Sequence, residues 1–98
     1  MIAALPTQQD VDRVARELAP DVVRIRFNVA QDWSKHPAMY FRVILSDEAS
    51  RPERLADVTS KVSGRLFDEL GLANLDHIPY FKFRNQSEQA KLQEKAWG

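Results

Sequence analysis

From Val22 onward the apolar residues fall on every second position: Val23, Ile25, Phe27 and Val29 alternate with Arg24, Arg26 and Asn28. A period of two puts neighbouring side chains on opposite faces of an extended chain, so this run describes a strand with one face against a core and the other left polar. In a chain of 98 residues there is material for one such core, and the expectation is a single domain over residues 1–98. A second β-rich run, residues 39–45, carries β-branched and aromatic residues on both faces, which suits a central strand. A third covers residues 78–84, where Pro79 is tolerable near the strand start or on an edge.

Helical spacing flanks these runs. Thr7 is placed to cap a first helix whose apolar stripe is Val11, Val14, Ala15 and Leu18, with Pro20 ending it. Ser50-Arg51-Pro52-Glu53 has the spacing of a capping box with proline in the first turn, and Leu55, Val58, Val62, Leu66 and Leu70 then continue one stripe for about twenty residues. Gly71 suits a left-handed helix end, and Gly64, costly in an exposed helix interior, predicts a kink or close packing. Residues 87–97 contain a short C-terminal helix candidate capped by Ser87, with Ala90, Leu92 and Trp97 as its apolar anchors.

The order α-β-β-α-β gives an α+β fold: a three-stranded mixed sheet with helices packed on one face, and a short C-terminal helix as an addition. The first two strands pair as an antiparallel hairpin, and the long helix is a right-handed crossover that returns the third strand parallel to the second. The core face then takes Val23, Ile25, Phe27, Val29, Met39, Phe41, Val43, Leu45, Phe81 and Phe83.

The opposite face is chemically distinct. It receives Arg24, Arg26, Tyr40, Arg42, Ile44, Tyr80, Lys82 and Arg84. The chain balances 14 Lys+Arg against 14 Asp+Glu, yet five of those cations and both tyrosines share this face, leaving an acidic excess elsewhere. Such a surface is first of all an ordinary solvated sheet face. Beyond that it suits an acidic protein surface, through forked Arg–carboxylate hydrogen bonds and Tyr or Arg anchors, ahead of single-stranded nucleic acid, which would lay phosphates on Arg and bases on Tyr. Trp33, in the hairpin loop, reads first as a lid on the end of the core and otherwise as an exposed anchor.

Other chemistry is thinly represented. There is no cysteine, hence no disulfide framework and no thiolate metal site. His36 and His77 lack a second ligand at metal-like spacing and read as ordinary surface residues; no metal or cofactor is expected. Asp47-Glu48 is expected to favour the N-terminus of the long helix rather than to hold a cation. Ser34, Ser46 and Ser87 have no glycine elbow or matched His/Asp context, and no phosphate loop occurs, so the chain is not expected to be an enzyme. Met1 to Pro6 lacks the basic start and apolar stretch of a signal peptide, and no apolar run approaches membrane-spanning length, so a cytoplasmic protein with no membrane partner is expected.

Several segments resemble ribosome-binding factor A, a family with a KH-like (type II) fold. Asp32-Trp33-Ser34 is similar to that family's Asp-x-Ser before its second strand, and Met39-Tyr40-Phe41-Arg42-Val43 to the strand itself. Ser63-Gly64-Arg65-Leu66 with Glu69-Leu70 is similar to the kink between its central helices, and Ile78-Pro79 with Phe83 to its last strand. The resemblance spans about residues 22–90 and implies RNA or ribosome binding. The chain departs from the pattern at Val62, where the family has alanine, in lacking Asp-Pro-Arg before the first strand, and in lacking a Gly-x-x-Gly loop. A fainter likeness, carried by Asp32-Trp33-Ser34, Leu45-Ser46-Asp47 and the run from Pro79 to Gln89, is to small uncharacterised bacterial proteins of toxin–antitoxin-type gene pairs, and implies a protein partner. The functional expectation is a non-enzymatic interaction module that binds a protein, or a second copy of itself, through the Arg/Tyr face, with an RNA- or ribosome-binding role of KH-like type as the alternative.

Overall fold

A computed structural model describes residues 4–97. The expectation about a signal peptide falls in part on residues 1–3, outside the described residues. The elements are α1 (Gln8–Glu17), β1 (Val22–Gln31), β2 (Pro37–Leu45), α2 (Pro52–Glu69), a 3₁₀ turn (Leu72–Asn74), β3 (Ile78–Asn85), α3 (Gln86–Leu92) and a second 3₁₀ turn (Lys95–Trp97). The class is α+β, with the expected mixed sheet: β2 is central, antiparallel to β1 and parallel to β3. Among the described residues no helix is long and apolar enough to cross a membrane.

α1 starts where its hydrogen-bonding chemistry requires. The Thr7 hydroxyl accepts from the Asp10 amide and the Asp10 carboxylate accepts from the Thr7 amide, satisfying two of the donors that a helix start leaves over. α2 begins differently from expectation. Proline disfavours helical geometry in the residue before it, so Arg51 is extended (φ −61°, ψ 143°) and takes the cap position without a side-chain bond, while the Ser50 hydroxyl donates to the Ser46 carbonyl instead. α2 then runs unbroken through Gly64, which is exposed and has nothing within 4 Å of where a Cβ would sit, so close packing does not explain this glycine. Gly71 (φ +61°) turns the chain left-handed just after the helix.

The apolar stripe of α1 and Val58, Val62 and Leu66 of α2 cover one sheet face, and at the centre Phe41 lies between Phe27, tilted against it, and Phe81, stacked on it (ring centroids 5.0 and 5.2 Å). Two residues expected in this core are outside it. The β1–β2 register shifts between Val22 and Arg24, so Val22 faces inward opposite Leu45 and Val23 is 42% exposed. Val29 is exposed because α1 begins beside Phe27, where the Gln8 side-chain amide accepts from the Phe27 amide (2.9 Å) and donates to the Ile25 carbonyl (2.7 Å), leaving the hairpin end of β1 uncovered. Leu55, at the start of the α2 stripe, is also exposed.

The helices do not all share one face. The chain after β3 folds back over the other side of the sheet, where Trp97 is buried above the row formed by Arg24, Ile44 and Arg84. α3 is capped by Asn85, through a capping box with Glu88, rather than by Ser87. The Ser87 amide and hydroxyl donate to Asp47, whose carboxyl those bonds hold below its ordinary pKa. Asp47 thus secures α3 rather than α2, while Glu48 pairs with Arg51 and Arg54.

Candidate functional site on the Arg and Tyr sheet face

Strand register arranges the face opposite the core into cross-strand rows. Counting away from the hairpin loop, these are Ala30–Ala38–Ile78, Asn28–Tyr40–Tyr80, Arg26–Arg42–Lys82 and Arg24–Ile44–Arg84. Successive rows are about 7 Å apart, two strand residues. All seven expected strand residues therefore lie on one face, as the alternation required, but they do not form one continuous open surface.

The last row is occupied by the chain itself. Arg84 pairs with Glu94 (Nη2–Oε1 2.9 Å), donates to Gln89 Oε1 (3.1 Å), and lays its guanidinium 4.3 Å from the centroid of the Trp97 ring. The Arg24 Nε donates to the Trp97 carbonyl at 3.1 Å. Ile44, between the two arginines, is 1% exposed beneath this cover. The apolar residue on an otherwise polar face is thus accounted for within the chain.

The next row remains open. Arg26 and Lys82 are exposed and Arg42 is half-buried, three cations abreast on three adjacent strands. Among the described residues none of the three forms an ion pair with a carboxylate. Arg42 donates to the Asn28 side-chain oxygen, and Arg42 and Lys82 each lie 5.5 Å from the centroid of the Tyr40 ring. Like charges directly opposite one another across strands destabilise a sheet, so this row carries a local electrostatic cost.

An aromatic row follows. Tyr40 and Tyr80 are stacked (centroids 5.3 Å, 16° between planes), and Trp33 leans over Tyr80 at 6.1 Å and 57°. Trp33 is 85% exposed and is not a lid on the core. Beside it, Asp32 is buried in the hairpin loop: its Oδ1 accepts from the amides of Ser34 and His36 and from the Ser34 hydroxyl, and its Oδ2 accepts from the Tyr80 hydroxyl at 3.0 Å. The Ser34 hydroxyl bond, with those from His36, Tyr80 and the Ser34 amide, holds the Asp32 carboxyl at about 2, well below its ordinary value. Burial first, then the bond to Asp32, raises the Tyr80 hydroxyl above its ordinary value. The loop is folded around its aspartate, and Trp33 is left pointing into solvent.

Asp32, Glu94 and Trp97 belong to this face and were not among the residues expected from sequence. Asp32 did carry a local signal, since an aspartate two residues before a serine favours a side-chain-bonded turn. Glu94 and Trp97 carried none, because their contacts depend on where a short tail folds. His36 bonds to Ser34 (2.7 Å). Among the described residues no group of three or more His, Asp or Glu side chains is placed to hold a metal ion.

Chemically, the open rows offer charge-assisted hydrogen bonds from three cations and an exposed indole. Compared with known proteins, the chain matches no protein-family model and no curated protein sequence.

Proposed function

We propose that the chain is a non-enzymatic interaction module that captures a partner protein through the open half of its Arg/Tyr sheet face. The observation that carries this reading is the row Arg26–Arg42–Lys82, three cations without carboxylate partners among the described residues, lying one row from the exposed Trp33. Arginine and tryptophan are the side chains that most often dominate protein interfaces, and a row of like charges is relieved when an anionic group docks on it. The half of the face holding Arg24 and Arg84 is engaged by the chain's own tail and contributes support rather than contact.

The test is retention from nuclease-treated lysate on the immobilised chain, against the triple variant Arg26→Glu, Arg42→Glu, Lys82→Glu. A protein identified in the wild-type eluate and lost from the variant is the expected result. Retention of that protein by the triple variant would overturn the reading. Purified RNA applied separately, held at low salt and shed steeply as salt rises, would favour the RNA-binding alternative, because phosphate contacts release counterions.

A further inference from the structure

We infer that the ligand of the open rows is a short acidic peptide segment bearing an aromatic side chain, seated as the chain's own residues 94–97 are seated on the neighbouring row. This deepens the protein-binding reading and rests on it.

The occupied row shows what the face accepts. One carboxylate, Glu94, meets the Arg84 guanidinium; an indole three residues later packs against the same guanidinium; and a main-chain carbonyl accepts from Arg24. An acidic residue and an aromatic residue thus share one arginine, the first through a charge-assisted bond and the second through the cation–π face. The adjacent row repeats the donors, with Arg26, Arg42 and Lys82 in place of Arg24 and Arg84, and has no such occupant among the described residues. Complementary charge therefore identifies the missing group as anionic, and Trp33, 85% exposed, offers the ring against which an apolar side chain can pack.

The same geometry disfavours a nucleic-acid strand. The cationic strip lies between the Tyr40–Tyr80 row on the loop side and Glu94 on the tail side, so a phosphate backbone running along the strands would leave the cations after one row and meet a carboxylate at the tail end. Non-specific single-strand sites extend over roughly four or more nucleotides. The ring faces of Tyr40 and Tyr80 are turned on each other, and Tyr40 is further flanked by Arg42 and Lys82, which leaves little ring surface for a base. A segment of a few residues with one or two carboxylates fits the strip.

The experiment measures fluorescence anisotropy of labelled peptide Glu-Glu-Ala-Trp-Glu-Glu with the full chain, beside Gln-Gln-Ala-Trp-Gln-Gln and octauridylate RNA. The acidic peptide is expected to bind, with the uncharged peptide at least about tenfold weaker. Arg42→Ala is expected to weaken binding by about tenfold or more, and Lys82→Ala, which removes an exposed side chain without disturbing Asn28, gives the same test if Arg42→Ala fails to fold. Arg13→Ala, on α1, is expected to leave binding unchanged. Equal affinity for the two peptides, tighter binding of octauridylate than of the acidic peptide, or equal losses for Arg13→Ala and Lys82→Ala would each overturn the inference. Failure of the acidic peptide to bind, while lysate capture stays sensitive to the triple reversal, would remove this inference and leave the protein-binding reading standing.

Discussion

The guanidinium of Arg84 lies 4.3 Å above the ring centroid of Trp97, and that contact, with the Glu94 ion pair and the Arg24 bond to the Trp97 carbonyl, joins the tail to the sheet's polar face. It explains why a tail with few apolar residues is ordered at all. Trp97 brings one large buried surface, and Arg84, 16% exposed in its side chain, is neutralised by Glu94 in the same step. Trp97→Ala should therefore release residues 86–97 without unfolding the sheet. Hydrogen exchange is expected to lose protection in α3 while β1 and β2 retain theirs; equal loss throughout would show that the tail and the core unfold as one unit.

The Asp32 hub makes a pH-dependent contribution with a definite sign. Its carboxyl is held at about 2 against an ordinary value of 3.8, so folding favours the ionised form. The stability it adds is present in full above about pH 4 and is lost as pH falls toward 2. A carbon-detected NMR titration of the Asp32 carboxyl should give a midpoint near 2, and a midpoint near 4 would show that the loop bonds are absent in solution.

Tyr80 reports on the same bond from the other side. Its hydroxyl titrates above the ordinary value of 10 because it is buried and donates to Asp32. Asp32→Asn removes the carboxylate and should lower that midpoint, read from tyrosinate absorbance. An unchanged midpoint would assign the whole effect to burial.

Gly64→Ala should stabilise the protein by about 0.5–1 kcal/mol, because an exposed mid-helix glycine costs about that much and the added methyl meets nothing within 4 Å. A urea midpoint that falls would mean that the helix is not continuous there.

Leu66, 0% exposed on the inward stripe of α2, is the converse case. Leu66→Ala should cost about 2–5 kcal/mol in denaturant unfolding. A loss below about 0.5 kcal/mol would place the residue at the surface.

What could be read in advance was whatever repeats locally. Ile25, Met39, Phe41, Val43 and Leu45 are buried where a period of two puts them, and the helical stripe Val58–Val62–Leu66 follows from spacing in the same way. Val23 departs because a one-residue bulge leaves it unpaired and gives its core position to Val22, an event decided by pairing with β2 and invisible in β1 alone. The cap of α2 is Arg51 rather than Ser50 because Pro52 constrains the residue before it, an effect stronger than the capping-box spacing. For the candidate site, alternation found the face but not its division. Whether Arg84 is open or covered depends on Glu94 and Trp97, ten and thirteen residues further on, whose docking has no periodic signature. Trp33 lies in the expected loop but in solvent rather than over the core, because the bonds that shape the loop belong to Asp32.

The Gln8 side chain, bonded to Ile25 and Phe27 as a neighbouring strand would be, has a consequence for how copies of this chain can meet. A sheet open at both edges is a two-ended monomer and can polymerise by strand addition. Here α1 closes the middle of the β1 edge with a single amide, so that edge cannot take a full-length neighbouring strand in register. Propagation of strand addition needs two free edges, and the Gln8 amide removes part of one of them.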